Sequence, residues 1–282
     1  MMDLADIATL EESRLCNALE VVATESRRLA GGLLTRGEPG TWINTTSGLG
    51  MNTAVQSADI EELIRWFEEK GIEPRAEICP FAHPSTWSEL GKQGFIIRSF
   101  ENVFVADLVN GAVREPPQPL GEGITLFQVD RYDASQVRAY AEAICAGFSH
   151  PNPPPKADID LWMRVVREDN LLAFGAISQG QIVGGGCAEI ARLPLRNGAS
   201  EISHTMAILF GLSVLPEWRK RGIQQALIAQ RLKLARHQGA QLATISAQPG
   251  VATERNARRL GFEVAYTKAI VVRPGPGLRS ND

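Results

Sequence analysis

Leu212-Ser-Val-Leu-Pro-Glu-Trp-Arg-Lys-Arg-Gly-Ile-Gln-Gln-Ala-Leu-Ile228 reads as the end of a strand, a basic glycine turn and the start of a helix. The run leading into it, Ile208 to Val214, is almost unbroken in apolar residues, the pattern of a strand covered on both faces. Pro216 has no N–H to give and punctuates the strand end. From Ile223 the apolar positions fall at 223, 226, 227 and 234, a helical spacing. Between the two elements stand Arg219, Lys220, Arg221 and Gly222. The first amides of a helix have no internal partner and carry the positive end of its dipole. Three basic side chains, with a glycine that permits close backbone approach, then describe an anion cradle whose natural occupant bears phosphate.

The elements around this stretch alternate. Before it come a strand at 124–129, helices at 133–147 and 157–166, consecutive strands at 171–177 and 181–190, and a turn at 195–201. After it come a buried strand at 243–247, a short helix at 252–260, and strands at 262–266 and 269–272. The first half reads as amphipathic helices over 4–30, a short strand at 41–45, a helix at 58–70 and a strand at 76–79. A short helix at 85–92 and a hairpin-like pair at 95–97 and 103–108 complete it. The segment 149–155, Ser-His-Pro-Asn-Pro-Pro-Pro, is incompatible with regular structure and reads as a surface loop or a substrate lid. Gly111 to Gly123 is rich in Pro and Gly and is the best linker.

The two halves echo each other. Each runs helix, strand, short helix, Gly-Phe, two strands, with the pairs Gly94-Phe95 and Gly261-Phe262 lying 261 − 94 = 167 residues apart. A duplicated domain is the economical account, and a chance likeness between two common α/β endings is the other. The boundaries are then a first domain at 1–112, a linker at 113–122, a second domain at 123–274 and a frayed tail at 275–282.

Bulk composition narrows the partners. The formal net charge is −3 with a pI of about 5.9, which provides no broad basic face for nucleic acid. No apolar run reaches the length of a membrane span, and the acidic N-terminus lacks the layout of a signal peptide. Four cysteines and four histidines are too scattered for a metal site or a disulfide framework, so no metal is expected and a reducing cytoplasm is the simplest setting.

On these residues the second half resembles the GNAT superfamily of acyl-CoA-dependent acyltransferases. Arg219-Lys-Arg-Gly-Ile-Gln224 is similar to that family's R/Q-x-x-G-x-G/A signature: Arg219 and Gly222 match, and Gln224 departs from the final small residue. Val214-Leu-Pro-Glu-Trp218 before it, Gln225-Ala-Leu-Ile228 after it and Leu260-Gly-Phe262 downstream match the family's surroundings. The resemblance implies an α/β fold of tandem GNAT-like domains, each a mixed, splayed sheet flanked by helices, the first a degenerate copy without the cradle. It also implies acetyl-CoA, or another short acyl-CoA, as co-substrate. Its pantetheine arm would pair with the backbone of Leu212 and Val214, and its pyrophosphate would rest on Arg219, Lys220, Arg221, Gly222, Ile223, Gln224 and Gln225. Asn256 would hydrogen-bond the pantetheine or the thioester.

The implied activity is N-acetyl transfer to the amine of a small molecule, by a monomer or homodimer. A CoA-binding sensor or structural module with little catalysis is the alternative. Relatives often carry a Tyr as acid where this chain has Ala257, and a Glu as base where it has the apolar Met206-Ala-Ile-Leu209. Substitute groups are Glu189, which reads more readily as a plain surface carboxylate, and Glu201 with His204, which could pass a proton through water. His204 also reads as a hydrogen-bonded strand-end histidine, and Tyr266 as either an acid or a core residue.

Overall fold

The computed structural model describes residues 2–111, 114–148, 153–197 and 200–280. Helix α1 (Leu4–Val22) starts at Asp3, whose carboxylate accepts from the Ala5 N–H. Strands β1 (Glu25–Leu29) and β2 (Gly32–Arg36) form an antiparallel hairpin. Ala30 and Gly31 both take positive φ (45° and 79°), the requirement of a tight two-residue hairpin turn. This corrects the helical reading of 4–30: Glu25-Ser-Arg-Arg is a polar edge strand without an alternating pattern to betray it. The chain continues through β3 (Thr45–Ser47), α2 (Ser57–Glu68), β4 (Arg75–Ile78), α3 (Ser85–Lys92) and β5 (Ile96–Asp107). There is one continuous strand where a hairpin was expected, because residues 98–102 lack any turn-forming Gly or Pro.

Next come β6 (Ile124–Gln128), α4 (Ala134–Phe148), α5 (Lys156–Val165), β7 (Leu171–Ser178), β8 (Gln181–Asn197) and β9 (Ser200–Val214). A short 3-10 turn (Pro216–Trp218), α6 (Ile223–His237), β10 (Leu242–Ala247), α7 (Ala252–Arg259) and β11 (Glu263–Val272) complete the chain. Where a turn at 195–201 is expected, β8 runs on to Asn197 and β9 begins at Ser200, and these two residues pair. The pair 262–266 and 269–272 is the single strand β11.

The chain forms two compact units. The first comprises Met2–Asn102 together with Ala265–Asp282, and the second Val103–Val264. The division therefore falls inside strands β5 and β11, and not at the expected linker 113–122. A Pro- and Gly-rich segment marks only a local absence of regular structure, while the units follow the strands that pair.

In the first unit the strands lie in the order β1-β2-β3-β4-β11-β5. The sheet is mixed: β3 and β4 are parallel through Thr46 and Ala76, and β4 and β11 are antiparallel. Leu34, Ile60, Leu63, Phe67, Ile78 and Leu90 pack with Ala269 and Val271 on the face covered by α2 and α3. The alternate residues of β11 face α1. There Lys268, 2% exposed, places its ammonium 2.8 Å from Glu12 and 3.8 Å from Glu77. Tyr266 donates its hydroxyl to the same Glu12 oxygen, at 3.0 Å.

The second unit has the order β5-β10-β9-β8-β7-β6, with β6–β7, β7–β8 and β8–β9 antiparallel and β9–β10 parallel. A Cβ on Gly185 would meet Tyr140 and Ile144 of α4, and one on the adjacent Gly186 would meet Arg231 of α6. Neighbouring residues point to opposite faces, so α4 and α6 cover opposite sides of the sheet. Leu209, Leu212, Val214, Ile223, Leu227 and Phe262 share the core on the α6 side.

Burial opposes the Lys268 charge, but Glu12, Glu77 and Glu11 outweigh it and raise the ammonium's pKa. A raised folded pKa means that this stabilisation is complete below the ordinary lysine value of about 10.5 and is lost only as pH climbs beyond it. Removing one partner of a buried pair strands the other charge, so Lys268→Met is expected to lower the unfolding free energy by about 3–5 kcal/mol at neutral pH. The double variant Glu12→Gln/Lys268→Met should recover most of that loss. Urea denaturation of the three proteins checks both outcomes.

Candidate functional site

The parallel ladder of β9 and β10 runs from Met206–Leu242 to Leu209–Ile245 and stops. Strand β9 goes on to Val214, so its last residues lie beyond the end of the ladder. The cause is Gly211, at φ 62°. The β8–β9 register shifts between Gly185 and Cys187, leaving Gly186 alone opposite Gly211 and Leu212. Two residues against one, with a left-handed glycine, is a G1 bulge, which bends a strand away from its neighbour. Phe210 and Gly211 consequently face the same side. Trp162 of α5 stacks on Phe210 at 6.1 Å, and a Cβ on Gly211 would run into its indole ring. An isolated glycine inside an apolar strand was the available sequence signal for this bulge.

Beyond Val214 the chain folds into a concave turn. Lys220 takes φ 63° and Gly222, the N-cap of α6, takes φ 75°. Two left-handed residues so close together turn successive amides toward one point, forming an anion-binding nest. The first helical bond is Ala226 N–H to Gly222 O, so the amides of Ile223, Gln224 and Gln225 form the open end of α6.

The basic side chains divide their work. Arg219 donates to the carbonyls of Val214 (3.2 Å) and Gly147 (3.1 Å), so it secures the turn instead of reaching outward. Arg221 lies over the Trp218 ring at 4.6 Å. Lys220 is exposed. Asn256 donates to Gln224 Oε1 at 2.7 Å and accepts from Gln225 Nε2 at 3.1 Å, tying α6 to α7. The Gln224 side chain is thereby turned toward α7. Gln118 donates its N–H to Gln225 Oε1 and its side-chain amide to the Lys220 carbonyl, and the Gly121 N–H reaches the Arg221 carbonyl at 3.0 Å. The expected linker is thus, over 118–121, a strap bound to the back of the turn.

The groups considered for proton transfer are dispersed. Glu189 is 4% exposed and accepts from Asn170 at 3.1 Å. His204 meets Gln241 Oε1 at 3.2 Å, seven residues before Gly211 along β9, roughly 23 Å at strand rise. Glu201 lies three residues further off, exposed. The long β9 therefore sets both apart from the bulge and the nest, whereas the shorter strand expected from the sequence brought them close. Ala257 is fully buried in the core between α6 and α7. Tyr266 belongs to the first unit, with its hydroxyl committed to Glu12. Burial pushes the Cys187 thiol up to about 11, so it stays protonated at neutral pH.

Other residues stand nearer. Ser246 is exposed just past the last β9–β10 pair. Asp158 sits one helical turn before Trp162 on the same face of α5, and burial raises its carboxyl pKa. Neither stands out in the sequence, since Ser246 acquires its place through the pairing of β10 with β9 and Asp158 through the packing of α5 on the bulge. Part of the adjoining segment 149–155, residues 149–152 with His150, lies outside the described residues. Among the described residues no group of His, Cys, Asp and Glu could hold a metal ion, and no helix is long and apolar enough to cross a membrane.

The architecture agrees with comparisons to known proteins. The family model for the acetyltransferase (GNAT) domain matches residues 128–265. The matched stretch falls almost wholly within the second unit, which has the fold of a GNAT domain. Among solved structures, a GCN5-related N-acetyltransferase from Kribbella flavida superposes with a TM-score of 0.66 at 20% identity, covering 99% of this chain and 98% of that one. A GCN5-related N-acetyltransferase from Sphaerobacter thermophilus gives 0.53 at 19% identity, over 82% and 73% of the two chains. These likenesses concern the fold. No curated protein matches the chain.

The nest has a measurable cost. A non-glycine residue at left-handed φ is strained by about 1–2 kcal/mol, part of which glycine returns as unfolded-state entropy. Lys220→Gly is therefore expected to stabilise the unliganded protein by up to about 1 kcal/mol in urea denaturation. The same variant should weaken binding of CoA in calorimetry, through loss of the cation beside the nest.

Proposed function

We propose that the chain is an N-acetyltransferase that takes acetyl-CoA, or another short acyl-CoA, and acylates the amine of a small molecule. The observation that carries this reading is the junction of an open ladder end with an amide nest. The fit is chemical: backbone amides and a basic surround suit a pyrophosphate, and the strand beyond Leu209 suits an extended amide-bearing arm. The Leu212 backbone is the better partner for that arm, since the Val214 carbonyl already accepts from Arg219. Ile223, Gln224 and Gln225 would hold the phosphates through their amides, with Lys220 adding charge. Arg219, Arg221 and Asn256 would shape the nest from behind. When bound, an acyl-CoA supplies the thioester: the amine nitrogen forms the C–N bond as the C–S bond breaks, and of the two protons that an ammonium acceptor gives up, one ends on CoA as the thiol and the other goes to solvent.

On the acceptor side, Ser246 lies just past the ladder end and Asp158 one helical turn from the Trp162 that covers the bulge, and we assign Asp158 to hold the amine and relay its proton. The first unit reads as a degenerate copy. Its parallel β3–α2–β4 unit parallels β9–α6–β10, but the connecting loop spends its polar groups internally. Gly50 N–H donates to Ala30 O, His83 N–H to Gly50 O, and Val55 N–H to Ser85 Oγ. A cytoplasmic setting is consistent with four free, buried cysteines. A CoA-binding sensor is the second reading, favoured by the buried, hydroxyl-free Ala257.

Acetyl-CoA at a hundred times its dissociation constant should stabilise the protein by about 2.7 kcal/mol, read as a rise in Tm. Thiol release with a panel of small amines then separates the two readings, because binding without turnover across the panel supports the sensor. For Asp158→Asn, turnover should fall while the fold gains stability at neutral pH. A carboxyl whose folded pKa is raised costs stability once pH passes through that window, and Asn is spared this. A variant with unchanged turnover would remove Asp158 from the site.

A further inference from the structure

We propose that Arg231 of α6 is a positioning residue that turns and strengthens the backbone N–H of Gly211 as the donor to the acyl carbonyl, an inference that rests on the acyltransferase reading above. Arg231 is fully buried, at 0% exposure. Its partners are all backbone carbonyls: Leu227 on its own helix (3.0 Å), Cys187 on β8 (2.8 Å) and Phe210 on β9 (3.2 Å). Its second terminal nitrogen, Nη2, has no hydrogen-bond partner. A buried cation without a carboxylate costs several kcal/mol in general, and an apolar side chain would fill the space at less cost. The charge therefore calls for a purpose other than packing.

Its position supplies one. The guanidinium lies under the G1 bulge, in room left by the missing side chain of Gly186, where a Cβ would be 2.9 Å from the guanidinium carbon. Gly186 is the residue opposite the bulged pair Gly211 and Leu212. One feature thus uses the space beneath the other. The Phe210 carbonyl and the Gly211 N–H belong to one planar trans peptide, so they point in opposite directions. With the carbonyl drawn to Arg231 on the α6 side, the Gly211 N–H is directed to the other side. That is the side of Trp162 and Asp158, at the level where the β10 ladder has ended.

A cation on the carbonyl end of a peptide polarises the whole unit and makes its N–H a better donor. A donor aimed where negative charge develops on an acyl oxygen, out of water, is a large source of rate acceleration. Arg231 moves no proton here. Burial pulls its pKa down to about 10, which leaves it cationic at neutral pH.

Isotope-edited infrared spectroscopy of acetyl-CoA carrying carbon-13 at the acetyl carbonyl reads the donor directly, without an acceptor amine. In the wild type the bound carbonyl stretch should fall below its value in free acetyl-CoA. In Arg231→Met the downshift should shrink by roughly half or more, with affinity for CoA itself kept within about threefold. Arg231→Lys, which keeps a cation, should retain more of the downshift. Gly186→Ala, which displaces the guanidinium without replacing it, should reproduce the loss and serves if Arg231→Met does not fold. Equal carbonyl frequencies in wild type and in the folded variants, or no downshift in the wild type, would overturn the inference. Failure of the wild type to bind acetyl-CoA in the thermal-shift measurement would instead overturn the acyl-CoA reading.

Discussion

The parting of β9 from β10 is the constraint on which the site depends, and it is produced by one glycine. A parallel ladder normally continues for as long as both strands last. Here Gly211 enters the left-handed region, adds one residue to β9 against β8, and bends the strand away after Leu209. Everything near the gap adjusts to that bend. Trp162 closes over the residue without a Cβ, and Arg231 fills the space below the residue opposite. Leu212 and Val214 keep their side chains in the core while their backbone runs past the ladder end.

The nest is a second device, built independently of the bulge but aligned with it by β9. Two left-handed residues set its curvature, and a ring of side chains keeps it from collapsing. Arg219 ties the turn back to Val214 and Gly147, Asn256 anchors both glutamines, and Gln118 braces the outside. The basic run is therefore less a set of ligands than a scaffold. In the proposed site the amides would carry the binding, and the cations would mainly hold those amides in place or offset the charge they attract.

The local part of this design was legible. Strand, proline, basic turn, glycine and helix follow one another in sequence, and each is a short-range preference of its residues. The family resemblance rested on that same order and is supported by a domain match over 128–265. What escaped notice was long-range. Glu25-Ser-Arg-Arg carries no alternation and becomes a strand only because β2 pairs with it. Strand β5 was divided in two by its polar middle, and β9 was read from Ile208 when it begins at Ser200. On the longer strand Glu201 and His204 lie far from the bulge.

The sequence by itself determined the turn, its positive end and the ligand chemistry it suits, because helix termini, left-handed glycines and buried strands are properties of a few consecutive residues. It also determined that the usual tyrosine position is an alanine. Only the tertiary structure decided which residues meet across the sheet. Trp162 reaches the bulge through α5, Arg231 reaches it through α6, and the last strand, β11, serves the first unit from Ala265 onward. These relations depend on pairing and packing between residues tens of positions apart, and no local preference encodes them.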